Sequence, residues 1–307
     1  MTRSGCFRNT FFGCITLIFL FAFIFFAIII SNLSEINFTT PDVNKESYDI
    51  VYDSLNHENM VNASFNWSFK ANNLRTKRYS LTFRLLEKDV KEAMDFIDKL
   101  AKMSYRDLGL NINHRTIDPE IETQLVWAEV YKRVFYQSFD KMKPILIGFN
   151  KIFIDQKLGN RDKVYFIISF VQNIPYDRPG GDLDLFPPLG TIAYRFGDCD
   201  SKSLLLYVLL EKMNIDCAMF WSNHYKHAML GLAVPSRGDY KTYAGKKYYF
   251  LETTYPGWHI GEIPPDFKIT RYWYLKEIDD LEKNRQTENI RTDEDSNHNV
   301  KPSPANN

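Results

Sequence analysis

One stretch of the chain sets a nucleophile at the start of an apolar run. It reads Phe196-Gly197-Asp198-Cys199-Asp200-Ser201-Lys202-Ser203 and passes straight into Leu204-Leu205-Leu206. A free thiol has a pKa of about 8.5, and the N-terminus of a helix lowers it. Unpaired N–H groups and the helix dipole favour the thiolate there, and the same groups would hold a developing oxyanion. Asp198 is placed as the N-cap, and Gly197 permits a tight turn and close approach of a substrate. Two strand-like segments follow, one opening with His227 and one carrying Glu252. His227 would act as general base and then general acid. A carboxylate inside the apolar run Tyr248-Tyr249-Phe250-Leu251-Glu252 needs a partner, because burying it alone is costly. An imidazole N–H is a suitable one and would fix the tautomer. Cysteine, histidine and carboxylate together suit thiol-based acyl transfer.

Each residue also has a plainer reading. A buried cysteine is often only a small hydrophobe, and this is the reading taken for Cys217 within the apolar segment 215–221. His227 could be a satisfied core histidine, His224 competes for the base role, and Glu252 could pair with a lysine. A Cys199–Cys217 bridge would consume the nucleophile. A metal hydrolase built on Cys199, His224 and His227 lacks support, since the chain has no Cys-x-x-Cys pair and no His-Glu-x-x-His. No metal or other cofactor is expected. Asp182 and Asp184 are too few for a calcium loop.

The elements that must position these residues follow from periodicity. Residues 63–70 and 78–85 alternate apolar and polar across Asn72-Asn73, which predicts a hairpin. Val90, Met94, Ile97, Leu100 and Ala101 share one helical face over 87–103. Asp118-Pro119-Glu120 starts the next helix, with Asp as cap and Pro at the first position. That helix runs to about 142 and continues, kinked at Pro144, toward 156. A short apolar helix covers 162–173. Residues 176–197 are rich in Gly, Pro and Asp and read as a long surface loop of a functional kind. Residues 200–214 are apolar nearly all round, as in a helix at the centre of a domain. Strands are expected over 215–221, 227–234 and 247–253. In the second of these, alternation puts Ala228, Leu230, Leu232 and Val234 on one face and His227, Met229 and Gly231 on the other.

At these residues the chain resembles the transglutaminase-like superfamily of papain-like cysteine enzymes. The matching pieces are Phe170-Val171-Gln172-Asn173-Ile174-Pro175-Tyr176, Gly197-Asp198-Cys199 with Asp200-Ser201-Lys202-Ser203, His227-Ala228-Met229-Leu230-Gly231, and Leu251-Glu252-Thr253-Thr254. The resemblance covers about residues 160–260. It implies an α+β, papain-like core in which a nucleophile helix packs on an antiparallel sheet that carries the base. It also implies Cys199 as nucleophile, His227 as base and acid, and Glu252 as orienting carboxylate, where the family more often has aspartate. Gln172 or Tyr176 would support the oxyanion. The implied activity is on amide bonds of a protein or peptide, most simply hydrolysis as a peptidase. Transamidation to an acceptor amine and non-catalytic peptide binding on the same fold are the alternatives.

Composition bounds the rest. The chain has 307 residues with 38 basic and 38 acidic side chains, so no excess of positive charge argues for a nucleic-acid partner. Of four cysteines, Cys6 and Cys14 lie in or before a hydrophobic segment, so the remainder is no disulfide framework. Residues 11–30 carry no charge and are long enough to cross a hydrocarbon core of about 30 Å as a helix. Arg3 and Arg8 precede them and no Lys or Arg follows closely, which predicts a retained single-pass anchor with a cytosolic N-terminus and an extracytoplasmic catalytic domain. The signal-peptide alternative wants a shorter apolar core and small residues at its end. The expected division is residues 1–31 as stub and membrane helix, 32–60 as linker, 61–159 as hairpin and helical region, 160–280 as catalytic core and 285–307 as a disordered tail. Asn32, Asn37, Asn62 and Asn66 each begin an Asn-x-Ser/Thr sequon.

Overall fold

The computed structural model describes residues 45–51, 59–71, 75–113 and 115–278. The predicted membrane segment, Cys6, Cys14, Asn32, Asn37, the Asn72-Asn73 turn and the tail 285–307 lie outside the described residues. Among the described residues no helix is long and apolar enough to cross a membrane.

The chain from residue 44 onward is an α+β unit with two sheets. The first is formed by β1 (Lys45–Val51), β2 (Met60–Phe69) and β3 (Lys77–Leu86) in the order β1-β3-β2. The predicted hairpin is present. β2 and β3 pair antiparallel from Met60 opposite Leu86 to Phe69 opposite Lys77. Their alternation turns Ala63, Phe65, Trp67 and Phe69 inward with Tyr79, Leu81, Phe83 and Leu85. β1 corrects the expected linker 32–60: it lies parallel to β3, Lys45 opposite Arg78. Among the described side chains of this seven-residue strand only Ile50 is buried, too weak a signal to be read among polar neighbours.

Among the described residues, five α-helices precede Cys199. In α1 (Glu87–Leu100) Val90, Ala93, Ile97 and Leu100 are buried, as helical spacing demands. α2 (Pro119–Phe139) begins as predicted, with the Asp118 carboxylate accepting from the Glu120 N–H at 2.7 Å. The kink falls in a 3-10 turn, Asp140–Met142, and Pro144 sits in the first turn of α3 (Lys143–Asp155), where its missing N–H costs nothing. α4 (Asn160–Gln172) follows. The expected long loop is interrupted by α5 (Pro188–Tyr194), seven residues whose inward side chains include Leu189, Thr191 and Ile192.

α6 (Cys199–Glu211) is buried at every position from Cys199 to Leu210 except Asp200. It packs on the second sheet, β6-β7-β5-β4-β8, made of β4 (Cys217–Ser222), β5 (His227–Leu232), β6 (Tyr240–Tyr243), β7 (Lys246–Leu251) and β8 (Tyr274–Lys276). All its pairings are antiparallel. Cys217, Met219, Trp221, Ala228, Leu230 and Leu232 belong to the core shared with α6. Ala218, Phe220, Met229, Tyr248 and Phe250 form a second core with Ile263 and Trp273. The edge strands β6 and β8 escape sequence reading because they have four and three residues and no fully buried side chain. Each fully buried Leu or Val of α6 stabilises the fold by about 1.5–3 kcal/mol as an upper estimate. That outweighs the cost of seating the charged and polar side chains that the same helix carries.

Candidate active site

Asp198 caps α6 as predicted: its carboxylate accepts from the Ser201 N–H at 2.9 Å. Gly197 is closely packed: a Cβ there would lie 3.0 Å from Ser201 Cβ and 3.2 Å from Thr191 Cγ2. Cys199 is the first helical residue and is 5% exposed. Its thiol donates to Asp200 Oδ2 at 3.3 Å and its sulfur accepts from the backbone N–H of Ala228. The nucleophile candidate therefore meets β5 one residue beyond His227. Both Cys199 and Cys217 are free thiols. Cys217 is a buried side chain whose thiol donates to the Ile215 carbonyl at 3.3 Å.

His227 and Glu252 are joined. His227 Nε2 lies 2.8 Å from Glu252 Oε2, and the two side chains are 10% and 2% exposed. Glu252 sits one residue past the end of β7. Its second oxygen, Oε1, accepts from the Thr254 N–H at 2.7 Å and from the Thr254 hydroxyl at 2.5 Å. Burial pushes the carboxyl pKa up, but the bonds from His227 and Thr254 outweigh it and hold Glu252 below the usual range. With Nε2 committed, Nδ1 is the ring nitrogen left to exchange a proton. The ring stacks on Phe267 with centroids 4.6 Å apart, and Trp273 meets its edge at 6.1 Å. His224 does not share this arrangement; it stacks on Tyr272 at 4.0 Å.

The electrostatics around the sulfur run against the sequence expectation. Burial, then the Asp200 and Asp198 carboxylates, push the Cys199 thiol well above its ordinary value. The helix N-terminus and the Ala228 N–H act in the opposite sense. Asp198 is itself pushed up to about 7 by burial and by Asp200. Burial and the two carboxylates favour the protonated thiol. Asp200 is held in turn by the hydroxyl of Tyr131, a wholly buried residue of α2.

The two other support residues differ in placement. Gln172 is 4% exposed, and its amide donates to the Glu252 carbonyl at 2.8 Å and the Trp258 carbonyl at 3.0 Å. Both amide hydrogens are thereby committed to holding the chain around Glu252, rather than to a substrate oxygen. Tyr176 forms a bridge with Gly197 and stacks on Tyr255 at 6.2 Å. Its phenol is pushed up to about 12 by burial and by Cys199, Asp198 and Asp200. Tyr176 and Tyr255 are 44% and 59% exposed. A groove of about 450 Å³ runs nearby between residues 64–67 of β2 and Asn173, Pro175 and Phe196, and its walls do not include Cys199, His227 or Glu252.

Sequence reasoning missed Lys202 and Tyr131. Lys202 is fully buried in α6, and its ammonium donates to the carbonyls of Gln172 at 3.2 Å, Ile174 at 2.6 Å and Thr254 at 2.7 Å. It ties α6 to the segment before Tyr176 and to the turn after Glu252. Burial pulls its pKa down to about 7, partly offset by Glu252. A lysine inside a helix that is apolar all round was the available signal, because such a cation must be met by buried acceptors. Ser203 adds a hydroxyl contact to Thr253 at 2.8 Å. The donor atoms of Asp198, Cys199 and Asp200 lie within 4.8 Å of one another. Asp198 is spent on the helix cap and Asp200 on Tyr131 and the thiol, so the cluster is already satisfied from within. Compared with protein-family models, with curated proteins and with solved structures, the chain matches none.

Proposed function

We propose that this chain is a cysteine-dependent acyl-transfer enzyme of the transglutaminase-like kind that cleaves amide bonds in protein or peptide substrates. The observation that carries the reading is the His227–Glu252 pair at 2.8 Å, buried one residue along β5 from the Ala228 N–H that holds the Cys199 sulfur. A core histidine without a chemical role has no need of a dedicated carboxylate, itself locked by two Thr254 donors.

In this reading His227 Nδ1 takes the Cys199 proton as Sγ attacks the amide carbonyl carbon. The Glu252 carboxylate stabilises the imidazolium through Nε2–H. The imidazolium returns its proton to the departing amine, the C–N bond breaks, and a thioester remains on Sγ. Water, deprotonated by His227, then attacks the thioester; the acid product leaves and the thiol is restored. The first-turn N–H groups of Cys199 and Asp200 are available to the tetrahedral oxygen, since that of Ser201 is taken by Asp198. The exposed Tyr176–Tyr255 pair supplies an aromatic rim for an extended chain. The apolar segment 11–30 would hold the enzyme at a membrane with the site outside the cytosol.

The test is incubation of the purified full chain in detergent with reduced, unfolded casein and a fluorescent primary amine. New peptide amino termini that disappear in Cys199→Ala support the peptidase. Incorporation of the amine without cleavage would replace hydrolysis by transamidation. Neither product, with casein still bound, would leave a binding module.

A further inference from the structure

β2 has a free edge. In the order β1-β3-β2 it pairs with β3 on one side only. Among the described residues no hydrogen bond reaches its other side over residues 64–67. Alternate residues of an antiparallel edge strand turn both N–H and C=O outward, and such an edge is a template for another strand. Proteins blunt it with lysine, proline, a bulge or a covering element. β2 runs for ten residues without a charge or a proline, and its register against β3 is unbroken.

This edge opens on the groove of about 450 Å³, one wall of which is Ser64, Phe65, Asn66 and Trp67. The side chains of four consecutive strand residues point alternately to opposite faces. What all four share along one groove is therefore the main-chain edge itself. The volume lies in the range of ligand clefts, about 300–1,000 Å³. Tyr194, Arg195 and Phe196 contribute to the lining as well. Arg195 is exposed and, unlike Arg178, which Asp184 holds, forms no ion pair among the described residues. It ends α5 in the left-handed region at φ 64°, where glycine or asparagine is usual. Strained positions of this kind gather at ligand-binding sites. The groove also adjoins the candidate active site. Phe196 precedes Cys199 by three residues, so their Cα atoms lie within about 11 Å, the reach of about three residues of extended peptide. Pro175 precedes Tyr176, which bridges to Gly197.

Resting on the acyl-transfer reading above, we propose that the substrate is an extended acidic peptide segment that adds to the free edge of β2 as a further strand, with one of its carboxylates on Arg195. Main-chain bonds along the edge give affinity for any extended sequence, and the guanidinium selects an acidic one. The aromatic surface of Phe65, Trp67 and Phe170 takes up apolar side chains of the segment.

The probe is a fluorescein-labelled hexapeptide, Thr-Val-Glu-Val-Thr-Val, with a counterpart carrying glutamine for glutamate and another N-methylated at each valine. Binding to the full chain as Cys199→Ala is read by fluorescence polarisation, and main-chain hydrogen exchange by mass spectrometry. The proposal expects the glutamate peptide to bind about tenfold tighter than the glutamine one, and Arg195→Gln, added to Cys199→Ala, to erase that difference. It expects binding to slow exchange over residues 64–67 and the N-methylated peptide not to bind. No binding, binding that leaves residues 64–67 unprotected, or a preference for glutamate that survives Arg195→Gln would overturn it. So would a dimer that protects residues 64–67 without peptide, since the edge would then belong to a second copy of the chain. Wild type that leaves casein uncut and Cys199 inert to iodoacetamide would instead sink the acyl-transfer reading on which the proposal stands.

Discussion

Replacing Glu252 by glutamine changes one atom and, through the geometry of the site, reverses a tautomer. Glu252 Oε1 is fixed by two donors, the N–H and the hydroxyl of Thr254. In Glu252→Gln the amide oxygen must take that place, because the NH₂ group offers no acceptor to Thr254. The NH₂ then faces His227 Nε2, where a carboxylate oxygen had stood at 2.8 Å. A donor facing Nε2 forces that nitrogen to accept, and the ring proton moves to Nδ1. A histidine protonated at Nδ1 cannot take the thiol proton there. The charge is lost as well, so the imidazolium is no longer favoured. Unit charges about 4 Å apart at an effective dielectric of about 20 attract by about 4 kcal/mol, or about three pK units, and this sets the scale for a thiolate–imidazolium pair. Without it the thiol returns to the raised value that burial and the flanking carboxylates impose. Alkylation of Cys199 by iodoacetamide at pH 7 should therefore slow about 10²–10³-fold in Glu252→Gln. Mass spectrometry of the tryptic peptides reads it, with Cys217 as internal control. A rate within threefold of wild type, in a variant that unfolds at the same temperature, would refute the reasoning and reduce the His227–Glu252 pair to a structural contact.

The other predictions concern the buried charges around the triad. Lys202→Met deletes three bonds to buried carbonyls and should cost about 3–5 kcal/mol of stability in urea denaturation; a loss below 1 kcal/mol would mean that the ammonium is not what ties α6 to Ile174 and Thr254. The folded pKa of Lys202, lowered to about 7, lies below that of the unfolded chain, so the native state sheds a proton that the unfolded state keeps. Its contribution to stability should rise from about pH 7 toward 10, and this rise should be absent from Lys202→Met. Asp198 works in the other sense: with its folded pKa raised to about 7, the stability it contributes is present below about pH 4 and lost as pH climbs through 7. Asp198→Asn keeps a cap for Ser201 and removes the charge, so it should flatten that decline and speed alkylation of Cys199 at neutral pH; slower alkylation would contradict the assigned role of Asp198 in raising the thiol pKa.

What the sequence shows and hides follows from how each residue earns its position. Cys199, His227 and Glu252 stand out because each has a local signature: a Gly-Asp turn before a leucine run, a strand start, a carboxylate in an aromatic strand. The hairpin, the Asp118 cap and the buried α6 are equally local. β1 is not, since its parallel partner β3 is reached only across the intervening β2. α5 hides behind Pro187-Pro188, which marks a loop by composition although Pro188 stands at a helix start. Tyr131 comes to Asp200 from a helix that sequence reading assigns no function, and a tyrosine on a mixed helix face gives no sign of such a partner. The surroundings of the thiol are hidden for a related reason. The helix terminus is visible in sequence, whereas burial to 5% exposure and the placement of two carboxylates at the sulfur are consequences of packing.

The most direct test of the central claim, that Cys199 is a nucleophile served by His227, is iodoacetamide labelling of the full chain at pH 7 in wild type and His227→Ala, resolved by peptide. If His227 serves Cys199, Cys199 labels readily in wild type while buried Cys217 does not, and His227→Ala abolishes the Cys199 reaction with Cys217 unchanged. Equal labelling of Cys199 with and without His227 would contradict it.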